Sequence, residues 1–137
     1  MKIAVCGSMT VSKKMIEVET KLIKLGHSVV LPEFTKEYAK LESADKMHSE
    51  SAKNKINYDL IRKYFDKIKE VDAILIINET KNNTENYIGG NSFLEAGFAH
   101  ILNKTIFLLN PLPDMSYTDE LVAMKPIVIN SDFSKIV

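Results

Sequence analysis

A chain of 137 residues fits one ordinary domain and is long enough to bury a core without disulfide or metal staples. Its 18 Lys plus Arg balance 18 Asp plus Glu, so the total charge gives no support to a surface for nucleic acid or for an anionic membrane. A single cysteine excludes an internal disulfide and a thiolate-rich metal site, and the three histidines lack ligand spacing.

The chain opens on Met1-Lys2-Ile3-Ala4-Val5, without the charged-then-apolar pattern of a signal peptide. No apolar run approaches the roughly 18 residues of a spanning helix. A cytoplasmic protein is the expectation. Lys2 to Cys6 reads as a buried strand that ends at the turn signal Gly7-Ser8. Thr10 to Leu25 carries Val11, Met15, Val18, Leu22 and Leu25 as a helical stripe, and Gly26 fits the position that stops it. Ser28 to Leu31 is a second strand, closed by Pro32. Phe34 to Ala52 is polar and mixed, and reads as a mobile excursion over a site. Lys53 to Val71 is a long amphipathic helix with Ile56, Leu60, Tyr64 and Ile68 roughly on one side.

Asp72 to Ile77 is the clearest strand, apolar almost throughout, as parallel strands buried on both faces are. Asn78 to Gly90 is a polar loop, Asn91 to Leu102 a helix and Thr105 to Leu109 a fourth strand. Pro111 and Pro113 break the chain. Thr118 to Met124 is a short helix and Ile127 to Ile129 a short fifth strand. This alternation predicts a single-domain α/β fold, a five-stranded parallel sheet with helices on both faces, flavodoxin- or Rossmann-like. Such sheets bind ligands outside the carboxyl ends of their strands, where strand order reverses. The rule selects Gly7 to Thr10, Asn78 to Ser92 and Asn110 to Asp114.

Ser92-Phe93-Leu94-Glu95 has the form of a capping box, in which each side chain would satisfy a backbone N–H of the other. A second reading competes with it. Glu95 shares a helix face with Phe98, Ala99 and Leu102, which would set its carboxylate near the strand ends rather than in water. A carboxylate held there can act as nucleophile or base. Gly89-Gly90 either lets a ligand approach the backbone of the helix start or serves an ordinary loop. Gly7-Ser8-Met9-Thr10 resembles a phosphate-binding turn but is neither GxGxxG nor a Walker loop, and a tight turn capped by Ser8 or Thr10 is the alternative. Arg62 is the only arginine, so a phosphate site must lean on backbone N–H groups, hydroxyls and lysine. Asp59 and Tyr64 could reach the site. Asp72 reads as structural, Glu79 as a loop acid, and His48 as part of the excursion.

The segment KIAVCGS, Lys2 to Ser8, resembles the opening strand and turn of the nucleoside 2-deoxyribosyltransferase-like superfamily, which includes the 2′-deoxynucleoside 5′-phosphate N-hydrolases. Ser92-Phe93-Leu94-Glu95-Ala96-Gly97 is similar to that family's hydroxyl residue, glutamate and glycine at the same spacing. The resemblance implies that Glu95 attacks C1′ of an N-glycoside and forms a glycosyl-enzyme, the covalent logic of retaining glycosidases. Gly7, Ser8, Met9 and Thr10 would hold the sugar or its phosphate, together with Asn91 and Ser92 after Gly89 and Gly90. It implies a nucleoside or nucleotide substrate, no metal or redox cofactor, and a homodimer or larger homo-oligomer whose neighbours complete the site. Departures accompany it. The family's aspartate eight positions before Asp72 is Tyr64 here, the hydrolases' arginine-containing turn is absent, their serine in the last helix is Val122, and the transferases' acid six residues before the glutamate is Gly89. Gly89-Gly90, Ser92 and Glu95 are also loosely similar to the PGGxGTxxE site of cytokinin-activating phosphoribohydrolases, with Ile88 for the proline and one glycine missing. The alternative function is a non-catalytic module that binds or senses a nucleotide in the same pocket.

Overall fold

The computed structural model describes residues 1–41 and 58–137. Strand β1 (Lys2–Cys6) leads through a 3-10 turn (Met9–Val11) into helix α1 (Ser12–Lys24). Strand β2 (Ser28–Val30), the short helix α2 (Thr35–Tyr38), helix α3 (Leu60–Lys69) and strand β3 (Ala73–Ile76) follow. Helix α4 (Gly90–Ile101), strand β4 (Thr105–Leu108), helix α5 (Thr118–Ala123), strand β5 (Ile127–Val128) and a 3-10 turn (Phe133–Lys135) complete the chain.

All five strands run parallel in the order β2-β1-β3-β4-β5. This is the doubly wound flavodoxin-like order, and its reversal falls between β1 and β3. Side chains alternate across each strand. Ala4, Cys6, Ile74, Ile76, Ile106 and Leu108 face one way and pack with Tyr64, Ile68, Ala96, Ala99 and Leu121 of α3, α4 and α5. Ile3, Val5, Ala73, Leu75, Ile77, Phe107 and Leu109 face the other way and meet Met15, Val18 and Leu22 of α1, with Ile136 beside the C-terminal turn. Each fully buried aliphatic side chain contributes about 1.5–3 kcal/mol. Helices therefore cover both faces, as the alternating pattern predicts.

Several boundaries shift for local reasons. Helix α1 starts at Ser12 rather than Thr10, because Ser8 first caps a 3-10 turn by accepting from the Thr10 N–H at 3.2 Å. Its end follows the expectation. Gly26 takes φ +90, the Gly26 N–H donates to the Ile23 carbonyl, and the His27 N–H reaches back to Leu22. Leu25, placed on the apolar stripe by periodicity, is instead 54% exposed, since it lies past the last helical turn. Of the excursion expected over Phe34–Ala52, Thr35–Tyr38 is helical, while 42–52, with His48, lies outside the described residues. So does the expected helical stretch 53–57; α3 itself begins after Asp59, whose φ is 49.

Candidate active site

Three segments meet at the carboxyl ends of β1 and β2 and enclose a cavity of about 240 Å³. From the β1–α1 turn come Gly7, Ser8, Met9 and Ser12; from α3 come Leu60, Lys63, Tyr64 and Lys67; from the start of α4 come Gly89, Gly90, Asn91, Ser92 and Glu95. The loop before α4 adds Lys81 and Tyr87, and the residues after β2 add Glu33, Thr35 and Tyr38. Of the residues singled out by sequence, Thr10 does not line the cavity. Its hydroxyl pairs with Ser8 Oγ at 2.5 Å.

Gly7 is required by packing. A Cβ there would lie 2.7 Å from Met15 Cε and 2.9 Å from Val11 Cγ2, so the glycine lets α1 cross close over the end of β1. Gly90 has the opposite surroundings: a Cβ would meet nothing within 4 Å. Gly89, extended at φ −80 and ψ 177, is the residue that caps α4. The first bond of the helix runs from the Phe93 N–H to the Gly89 carbonyl at 2.9 Å. The amides of Gly90, Asn91 and Ser92 thus stand outside the helical ladder, at the positive end of its dipole.

This start overturns the capping box. Ser92 lies inside the helix instead of at its cap, and no side chain caps α4. The glycines allow the chain to turn helical before Ser92, which carries Glu95 into the helix body and onto its buried face. Glu95 is 8% exposed and Ser92 3%, and both line the cavity.

Beneath Glu95 lies the end of β1. The Cys6 thiol, fully buried, donates to the Ala4 carbonyl at 4.0 Å. Burial raises the thiol well above its ordinary value, and the nearby Glu95 side chain adds to the shift. Tyr64 is 7% exposed. Its hydroxyl donates to the Val5 carbonyl and lies 3.4 Å from that of Val30. Burial raises the phenol well above its usual range, with Cys6 and then Glu95 adding to the shift.

The other acids considered from the sequence are placed elsewhere. Asp59 is exposed and pairs with Arg62 at 3.0 Å, so it does not enter the cavity. Asp66 pairs with Lys69 and Glu79 with Lys14. The Asp72 carboxylate accepts the Lys2 N–H at 2.7 Å, tying the starts of β1 and β3. Asn78 and Asn110 close the ends of β3 and β4. The Asn78 amide donates to the carbonyls of Asn110 and Pro111 and accepts the Asn110 N–H, while the Asn110 amide donates back to the Asn78 carbonyl. The Asn110–Asp114 segment is therefore no part of the cavity wall. Among the described residues, no three of His, Cys, Asp and Glu gather as a metal site would require, and no helix is long and apolar enough to cross a membrane.

The fold is that of a 2-deoxyribosyltransferase. The enzyme of this name from the psychrotolerant bacterium Bacillus psychrosaccharolyticus superposes with a TM-score of 0.51 at 19% identity, over 79% of this chain and 71% of that one. The CMP N-glycosidase BcmB of Clostridium botulinum gives a TM-score of 0.44 at 19% identity, over 79% and 67% of the two chains. FerB of Paracoccus denitrificans, a flavoenzyme NAD(P)H:(acceptor) oxidoreductase, gives 0.49 at 14% identity, over 93% and 74%. No family model matches the chain, and no curated protein sequence matches it.

Beside the 2-deoxyribosyltransferase-like fold, the residues that sequence reading missed gain a place. Leu60, Lys63 and Lys67 share with Tyr64, which the sequence did single out, the i, i+3, i+4 and i+7 positions of one face of α3, and all four line the cavity. That spacing was available in sequence, but lysines on an amphipathic helix read as a solvated face. Lys81 and Tyr87 sit in a loop without periodicity, where Lys81 Nζ lies 5.4 Å from the Tyr87 ring centroid.

Proposed function

We propose that this protein cleaves or transfers the N-glycosidic bond of a nucleoside or nucleoside monophosphate, with Glu95 as nucleophile. The observation that carries the reading is a glutamate 8% exposed in the wall of the cavity, set on the helix whose free amides and paired glycines open into the same space. The shared fold supports the substrate class, since the neighbour of that fold is a 2-deoxyribosyltransferase.

In this reading a Glu95 oxygen bonds to C1′ while the C1′–N bond breaks, and the base leaves with the bonding pair. Water or a second base then attacks C1′ and returns the carboxylate. The lysines speak to the choice between nucleoside and monophosphate. Lys63, Lys67 and Lys81 line the cavity, and no carboxylate lies within 4.0 Å of their amines among the described residues. Three such cations beside a helix N-terminus favour a substrate with an anionic group. Monophosphates should therefore be turned over with lower KM than the matching nucleosides.

The test is base release, followed by chromatography, from ribo- and deoxyribonucleosides and their monophosphates. Glu95→Gln should lose about 10³-fold or more in rate. Release that survives this substitution would remove Glu95 as nucleophile. A non-catalytic nucleotide-binding module is the second reading. It is favoured by Tyr64, whose hydroxyl is committed to the backbone at the position where the resemblance implies an acid. Ligands that raise the melting temperature without any release would establish it.

We also infer a homo-oligomer, formed through the outer face of α4. Leu94 and Ile101 are 45% and 78% exposed on that face, and Gly97 stands between them with nothing within 4 Å of a Cβ position. Ile61 of α3 and Leu94 both border the cavity, so a second copy on this face would stand beside the site.

A further inference from the structure

Helix α4 carries Glu95, yet its hold on the rest of the molecule differs along its length. Its later turns are anchored by Ala96 and Ala99, fully buried in the core, and by Phe98, whose ring centroid lies 5.1 Å from that of Phe65. Its first turn has no side-chain cap. The anchor there comes from outside the helix. Tyr117, the residue before α5, donates its hydroxyl to the Ile88 carbonyl, and its ring stacks on Phe93 with centroids 4.4 Å apart and planes at 24°. One side chain thus holds the chain before and after Gly89-Gly90. Phe93 is also the residue whose N–H closes the first helical bond, on Gly89. Tyr117 stands on a fixed base. The Thr118 hydroxyl accepts the Met115 N–H at 2.8 Å and lies 2.8 Å from the Pro113 carbonyl. Upstream, Asn78 clasps the carbonyls of Asn110 and Pro111. Tyr117 does not line the cavity.

We propose that Tyr117 is a positioning residue for Glu95: by gripping Ile88 and Phe93 it fixes where α4 begins and how the helix is turned about its axis, and so where the carboxylate stands in the cavity wall. This rests on the proposed glycosidase reading. Phe93 and Glu95 lie two residues apart, about 200° around the helix. Tyr117 therefore holds the side of α4 away from the carboxylate, and acts on it without touching substrate. The sequence at this turn makes such a grip necessary. Two glycines lead into the helix, and glycine has the widest backbone freedom of any residue. At Gly90 a Cβ position would meet nothing within 4 Å, so packing does not restrain that residue. Attack on C1′ is sensitive to such slack, since a misplacement of about 1 Å costs about 10²-fold in rate.

Two measurements test the proposal. The first needs no substrate. Tyr117→Phe keeps the ring on Phe93 and removes the hydroxyl from Ile88. Amide hydrogen exchange at Phe93 should quicken about three- to tenfold in this variant, while that of Leu102, at the far end of α4, stays as in the wild type. Unchanged exchange at Phe93, or equal quickening at both ends, overturns the proposal. The second is kinetic. Tyr117→Phe should lose about three- to tenfold in kcat with KM within about twofold. Tyr117→Leu, which also removes the stack, should lose more in kcat. Melting curves of both variants separate a loss of fold from a loss of placement. Equal kcat in wild type and both variants sinks the positioning role while leaving Glu95 as nucleophile. Absence of base release from the wild type removes the glycosidase reading, and this role with it.

Discussion

The Cys6 thiol and the Tyr64 hydroxyl are both acids kept protonated by where they lie, chiefly through burial and then through the charges beside them. In the unfolded chain they release their protons near pH 8.5 and 10, approximately. The folded chain holds those protons to higher pH, so above these values it binds more protons than the unfolded chain. Stability from this source is full below about pH 8.5 and declines as pH rises, with a slope per group of at most about 1.4 kcal/mol per pH unit. Urea titrations should therefore show wild type losing more stability than Cys6→Val between about pH 8.5 and 10. Parallel curves would mean that the folded thiol ionises as it does in the unfolded chain.

At the scale of elements, two glycines with similar sequence signals have different physical roles. Gly7→Ala pushes a Cβ against Val11 and Met15, and overpacking of this kind costs about 1–3 kcal/mol. Gly90→Ala meets open space at the first turn of α4 and gains helix propensity, up to about 1 kcal/mol. Its methyl would narrow the cavity, so ligand affinity should fall while the urea midpoint rises. A midpoint lowered by Gly90→Ala and untouched by Gly7→Ala would contradict this account. The elements themselves were largely legible, because hydrophobic period identifies buried strands and amphipathic helices regardless of tertiary detail. The apolar run of β3 and the Gly26 stop of α1 are examples. Where α4 begins was not legible. Ser92 and Glu95 satisfy a local capping pattern, and only the approach of the chain through Gly89 shows that helix formation starts earlier. The lysine face of α3 was written in the spacing, yet its meaning depends on which side of the helix the sheet leaves open.

For the whole molecule, the proposed oligomer makes a mass prediction. Light scattering should give a multiple of the 15.5 kDa chain. Ile101→Asp with Leu94→Asp should return it to one chain, because two buried carboxylates cannot be paired on an apolar face. A wild-type mass of one chain would end the idea. The parallel sheet with helices on both faces followed from the alternation of elements, whereas its strand order, β2-β1-β3-β4-β5, is given by the structure. The site was less accessible to sequence, because it is assembled from segments as distant as Gly7 and Glu95.

The paired asparagines at the ends of β3 and β4 carry a consequence for ageing. Asn78 is fully buried, and its side-chain nitrogen donates to two carbonyls, at 2.9 and 3.0 Å. Asparagine is a thermolabile residue. Conversion of that amide to a carboxylate would replace an N–H donor by an oxygen and set it against both carbonyls. A carboxylate at this position would therefore loosen the ends of β3 and β4.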